Sequence, residues 1–396
     1  MPEQNPLGTR VILSWSDLTA GLIWPKLLRS SALALRPDRI FVAFIAVVVM
    51  GVLFSIPAPW GEHQSVRDLW GGAARGIPVM PSAGDAFSGP AGDIVGASAA
   101  LANPLVAVAL APAYMLWEHP WHALLFGLPA LIVAGLAGVA VARMAACEFS
   151  HGVMSQWPSG VGFALARWQA VVAALLIPMA LVSLIALVIA AGGAVLLRFP
   201  VVNILGALLF PLALVLGALA VFLIVGFIFG WPMVLPAIAC EGSEPGPGVG
   251  AAIDSLQRTY AYVPNSPLRL ALYLALLIVQ TTIVAGILAA LAAGVVTFTT
   301  SAATAWLPDE AADLIRSGHA PDDAGFTAKT VAGLLSFWTS IPLVLVASFV
   351  FSQVFCAGTV LYLLIRRVND GQHETEIWMP TMIPGTQAPL PANPPA

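Results

Sequence analysis

Charge is what this sequence has least of. Only 9% of its 396 residues are Asp, Glu, Lys or Arg, against about one-quarter in an ordinary soluble domain. So few charges cannot solvate a water-soluble globule, extend a disordered chain or track a phosphate backbone, which excludes those classes and any nucleic-acid partner. Cysteine is scarce too: Cys147, Cys240 and Cys356 are an odd set that makes no complete disulfide framework. Gly-x-Ser-x-Gly and His-Glu-x-x-His do not occur, and Gly246-x-Gly248-x-Gly250 lacks the preceding strand and following spacing of a dinucleotide site. No catalytic residue set and no cofactor are therefore read, and a non-enzymatic role is expected.

Apolar residues fill the space that charge leaves, at 59% of the chain. In lipid every backbone donor and acceptor needs an internal partner, so a charge-free run of about 20 apolar residues reads as a spanning helix. Six such runs occur, at Ile40–Pro57, Trp121–Ala142, Ala170–Leu196, Leu205–Gly230, Leu270–Phe298 and Leu334–Leu364. They are rich in Ala, Leu, Val and Gly and lack period-two alternation, which favours helices over the strands of a barrel. The expected fold is all-α, a polytopic integral membrane bundle of six transmembrane helices with interfacial amphipathic helices. Its expected layout is a lead over 1–39, a bundle over 40–366 and a Pro-rich tail over 367–396.

Sidedness follows from Lys and Arg in the flanking loops. Arg10, Lys26, Arg29, Arg36, Arg39, Arg143, Arg167, Arg258, Arg269, Arg366 and Arg367 fall on one side, and Arg67, Arg75, Arg198, Arg316 and Lys329 on the other. This bias predicts cytoplasmic termini in a bacterial-type inner membrane. The three cysteines fall toward the same cytoplasmic side, where thiols stay reduced. No cleaved signal is read, because the first apolar run begins only at Ile40 after a charged lead. Trp15–Ile40 mixes Trp15, Leu22, Trp24 and Leu28 with Lys26, Arg29, Arg36 and Arg39, the pattern of a helix lying among headgroups.

Two acidic exterior loops are expected, about 60–120 and 299–330; within the first, Leu105–Leu116 is apolar but too short to span. Pro380–Ala396, uncharged and with six prolines, reads as an extended tail. The two interior cytoplasmic loops resemble each other. Ala146-Cys147-Glu148 precedes Gly160-Val161-Gly162, and Ala239-Cys240-Glu241 precedes Gly248-Val249-Gly250, each followed by an apolar helix start. The pattern predicts two hairpins of common design: span, Glu-containing exit, interfacial helix, return span.

Pro236-Ala237-Ile238, then Glu241-Gly242, then Ala252, Ser255, Arg258 and Tyr260 before a returning span resembles the multi-helix membrane domain associated with glycerophosphodiester phosphodiesterases and related bacterial integral membrane families of unknown function. The likeness covers about 236–270. It implies a six-helix membrane module without a defined activity. The phosphodiesterase catalytic domain has no counterpart, since no histidine here is followed by Arg.

Several residues carry candidate chemistry. Glu148 and His151 form Glu-x-x-His and Glu241 and Glu244 form Glu-x-x-Glu, pairs that elsewhere build di-metal centres, but the spans supply no further carboxylates. Glu118, His119 and His122 cluster before the second span, with Trp117 and Trp121 beside them as an aromatic belt. The plainer role of Glu148 and Glu241 is structural. A carboxylate at a helix C-terminus needs a cation, and Arg167 and Arg258 are the expected partners. Gln280, Thr281, Thr282, Trp338, Ser340, Ser352 and Gln353 are the polar groups available to line a path or to bond between helices. Small residues at four-residue spacing, Gly286, Ala290 and Gly294, with Ala134 and Gly138 and Ala213 and Gly217, predict close helix packing, within the bundle or to another subunit. The leading expectation is an organising or accessory subunit that meets the lipid bilayer and a membrane partner or a second copy. A carrier for a lipid-like or neutral molecule and a metal-dependent membrane enzyme are the alternatives.

Overall fold

The computed structural model describes residues 24–56, 119–196, 198, 202–241, 249–308, 312, 315 and 325–378. Outside them lie Trp15, nearly all of the first exterior loop with Leu105–Leu116 and Glu118, the Glu244 and Gly246–Gly248 turn, the middle of the second exterior loop, and the tail from Pro380. Among the described residues every regular element is helical.

A 3-10 turn at Trp24–Leu28 leads into α1 (Arg29–Ala34). The first long helix, α2, runs Pro37–Ser55, with proline at its first position and Arg36 extended before it, an elbow that proline chemistry favours. Next come α3 (Pro120–His151), α4 (Trp157–Ala166), α5 (Trp168–Leu196), α6 (Val202–Cys240), α7 (Gly250–Asn265), α8 (Pro267–Thr304) and α9 (Phe326–Asp370). Gly152 ends α3 at φ 68°, a left-handed cap suited to glycine, and its N–H donates to the Glu148 carbonyl at 3.0 Å.

Six of these, α2, α3, α5, α6, α8 and α9, are long and apolar enough to cross a membrane. Their most apolar windows are left largely uncovered, none more than 33% buried. The greasiest 18-residue window of α6, mean hydropathy 3.0, is 6% buried, and that of α8, mean hydropathy 2.4, is likewise 6% buried. A soluble protein would hide such windows first. Leaving them uncovered is the solvation pattern of a multi-pass membrane protein, whose outer surface meets hydrocarbon.

The helices outrun the apolar runs that announced them. At 39 residues, α6 is about 58 Å long, well beyond the roughly 30 Å hydrocarbon core. The excess gathers at one end, where α3, α6 and α9 pack against one another and are buried on every side over Val139–Cys147, Met233–Cys240 and Phe355–Arg366. Small residues permit this approach: a Cβ on Gly138 would meet the Phe355 ring, and one on Gly358 would meet the Pro232 carbonyl. Around this three-helix core, α2 lies against α3 and α9, α5 against α6, and α8 against α9. Toward the opposite end α5–α6 and α8–α9 continue as exposed pairs.

Several expectations change here. The lead does not form one helix from Trp15 to Ile40; the described part breaks at Leu35–Arg36, and Leu27, Ser30, Leu33 and Ala34 are buried against the bundle. The tail does not begin at 367: α9 runs to Asp370, and 371–378 crosses the packed end, with Ile377 buried and the Trp378 N–H donating to the Cys240 carbonyl at 2.9 Å. Of the two kinds of packing expected at Gly286, Ala290, Gly294 and Gly217, the one within the bundle is not seen among the described residues; these positions are exposed or half-exposed, and a Cβ on Gly217, Gly286 or Gly294 meets nothing within 4 Å. Both predicted hairpins exist as span, short helix and return span, yet α5 returns to α6 whereas α8 returns to α9.

Gly358→Ala forces the α6 backbone away from α9, and the expected cost is about 1–3 kcal/mol or more. Gly286→Ala gains helix propensity and meets no neighbour. Thermal unfolding in detergent should therefore show a lower midpoint for the first variant and an unchanged or higher one for the second.

Candidate functional site

The packed end holds most of the charge on the described chain, arranged as three carboxylates each bound by two cations. Glu148, in the last turn of α3, accepts from Arg36 Nε at 3.0 Å and Nη2 at 2.7 Å, and its other oxygen accepts from Arg39 Nη2 at 2.6 Å. Glu241, just past α6, accepts from Arg258 Nη1 at 2.7 Å and from the Tyr362 hydroxyl, with Arg366 Nη1 at 3.6 Å. Glu374, beyond α9, accepts from Lys26 Nζ at 2.7 Å and from Arg367. The first two carboxylates sit at helix C-termini, where the dipole disfavours negative charge, so paired cations offset both the dipole and the burial.

Each clamp joins segments distant in the chain. Glu148 holds the α1–α2 elbow, Glu241 joins α7 to α9, and Glu374 ties the N-terminal turn to the segment after α9. Arg39 also donates to the Met144 carbonyl at 2.9 Å, and Arg366 Nη2 to the Glu376 carbonyl at 2.6 Å. Beside them Arg143 and Arg167 stack on aromatic faces: the Arg167 guanidinium lies 4.0 Å from the Phe163 ring centre and 4.8 Å from that of Trp378. Burial and the neighbouring Arg143 charge hold the Arg167 pKa below the ordinary arginine value. Burial alone would also lower that of Arg258, but the Glu241 carboxylate outweighs it and the pKa is raised. Burial pushes the Tyr260 hydroxyl up to about 12; that hydroxyl donates to the Leu223 carbonyl at 3.0 Å, fastening α7 to α6.

The sequence-read residues divide clearly. Arg258 meets Glu241 as expected from the local hairpin. Glu148 does not take Arg167; it takes Arg36 and Arg39, because the elbow before Pro37 delivers both guanidiniums to the end of α3. Both Glu148 oxygens are on guanidiniums, and His151 is exposed. His119 and His122 stack edge to face, centroids 5.8 Å apart, while Glu118 and Glu244 lie outside the described residues. Among the described residues no group of three His, Cys, Asp or Glu side chains is placed to hold a metal ion. The three cysteines are free and buried.

The polar residues of the spans turn inward to the N-terminal segment. Gln280 Nε2 donates to the Leu28 carbonyl at 2.9 Å and to Ser31 Oγ at 2.6 Å, Gln353 Nε2 donates to Ser30 Oγ at 3.2 Å, and Ser352 Oγ donates to the Ala34 carbonyl at 3.0 Å. Thr281, Thr282 and Ser340 bond carbonyls of their own helices, and Trp338 packs on Phe337. Gln280, Ser352 and Gln353 thus dock the N-terminal segment to α8 and α9. A polar cleft of about 240 Å³ also opens at the packed end, between α6, α7 and the segment after α9, with Glu241, Asp254, Arg258, Arg366 and Glu376 in its walls.

Comparisons with known proteins return no matching family model, no curated relative and no matching solved structure.

Glu374 supplies a pH signature. Burial alone would raise its pKa, but the hydrogen bonds and charges of Lys26 and Arg367 outweigh it, and the carboxyl titrates below the usual range. A depressed carboxyl stabilises the fold above its unfolded pKa of about 4.3 and loses that contribution as pH falls through the lower folded value. Glu374→Gln should therefore cost about 1–2 kcal/mol near neutral pH, measured by thermal or denaturant unfolding in detergent. The gap from wild type should close on acidification below pH of about 4.

Proposed function

We propose that the chain is a non-enzymatic organising or accessory subunit of a bacterial-type inner membrane, acting through its lipid-embedded surfaces. The observation that carries this reading is the uncovered outer half of the bundle. The most apolar windows of α6 and α8 are left 6% buried, and the small-residue face at Gly286, Ala290 and Gly294 is open. Such a face lets a second helix approach closely at little cost, and no described residue of the chain packs onto it. Of the polar span residues, Gln280, Ser352 and Gln353 are engaged with the N-terminal segment and Thr281, Thr282 and Ser340 with carbonyls of their own helices.

The packed end is assigned to the cytoplasm. Lys26, Arg29, Arg36, Arg39, Arg143, Arg167, Arg258, Arg269, Arg366 and Arg367 lie toward it, whereas Arg198 and Lys329 lie toward the other end, the bias retained on the inner side during insertion. The resemblance around 236–270 to the membrane domain beside glycerophosphodiester phosphodiesterases implies a six-helix membrane module and no defined activity.

Extraction of native membranes into polymer-bounded discs should recover the chain with a second membrane protein or a second copy. Leu at both Gly286 and Gly294 should abolish that recovery while leaving the thermal midpoint unchanged. Recovery of a partnerless monomer from native membranes contradicts the proposal.

A further inference from the structure

A second cavity, of about 230 Å³, lies between α2, α3 and α4. Its floor, Val42, Ala46 and Ala164, is buried; its rim, Phe41, Trp157 and Leu165, is exposed. Every side chain lining it is hydrocarbon or aromatic. The exposed rim residues Phe41 and Ile45 belong to the apolar span α2, a surface suited to hydrocarbon, which favours an occupant drawn from the bilayer. It is too small for a helix, which is about 10 Å across with side chains, and its size suits a single extended acyl chain.

The headgroup end of the groove is also marked. The Trp157 ring sits 5.3 Å from that of Phe41, and an exposed tryptophan at a helix start belongs to the headgroup level. Arg36 stands immediately before the first residue of α2, Pro37, which precedes Phe41 by four residues or about 6 Å along the axis, and the Arg36 side chain is 44% exposed even while holding Glu148. Counting Asp38 in the same turn and Arg29, which stacks on Phe149 beside Glu148, the five charges Arg29, Arg36, Asp38, Arg39 and Glu148 leave the cluster one net positive charge. An anionic group at this depth completes it.

We infer that this groove holds one acyl chain of an anionic phospholipid, with the lipid phosphate on Arg36. The inference goes beyond the partner-organising role and does not depend on it, because the groove lies on α2, α3 and α4 whereas the open small-residue face lies on α8.

The test is native mass spectrometry of the full chain, purified in detergent and exchanged into micelles carrying equal phosphatidylglycerol and phosphatidylcholine. Wild type should retain one phospholipid per chain, phosphatidylglycerol in preference. Ala137→Phe, which fills the groove, should lose it; Ile45→Trp, which narrows the groove from its exposed rim without touching the core, should do the same if the first variant folds poorly. Arg36→Gln should keep a lipid while its preference for phosphatidylglycerol falls roughly fivefold, the effect of one basic side chain near an anionic headgroup. No lipid retained by wild type, no headgroup preference in wild type, or undiminished retention in both groove variants overturns the inference. Loss of lipid with unchanged partner recovery separates this site from the organising role.

Discussion

Everything in this structure depends on where water is absent. An apolar helix in water gains free energy by hiding its side chains, at about 25 cal/mol per Å², and a soluble chain of this composition would bury its greasiest segments first. Here α6 and α8 leave theirs open. A bilayer removes that driving force, because lipid tails are as apolar as leucine. The outer halves of the helices are then free to touch one neighbour each. Close packing concentrates at the other end, where helices extend past the hydrocarbon and must satisfy polar groups as well as apolar ones.

At that packed end the organising interactions are ionic and unusually regular. Three carboxylates each take two cations, and each clamp closes a large span of chain: Arg36 to Glu148, Glu241 to Arg366, Lys26 to Glu374. Isolated surface pairs contribute little, but these sit beside a fully buried α3–α6–α9 core and share partners with backbone carbonyls. Breaking one such partnership leaves a half-buried charge uncompensated, which costs more than the pair contributes. The clamps therefore select this arrangement of helix ends over others that the same apolar surfaces would allow.

The spans were legible in the sequence because a charge-free apolar run has few alternatives. Their true lengths were not: nothing in Arg143–Cys147 read alone says that these residues continue a helix and are buried by neighbours from elsewhere. Glu241 and Arg258 lie 17 residues apart in one hairpin, so their pairing was readable from local order. Glu148 sits 109 residues from Arg39, and proximity in the chain pointed instead to Arg167. The role of Gln280 and Gln353 was hidden for a related reason. A polar residue in a span announces a need for a partner, but its partners here, Ser30, Ser31 and the Leu28 carbonyl, belong to a lead whose pattern suggested a surface helix.

The central claim, that the exposed outer halves are solvated by lipid, is tested most directly by site-directed spin labelling at Leu208, Val295 and Leu343, exposed positions on α6, α8 and α9. In reconstituted bilayers, collision with lipid-soluble oxygen should be frequent at all three and collision with a water-soluble nickel chelate rare. Ready access of the nickel chelate at these sites would place them in water and contradict the account.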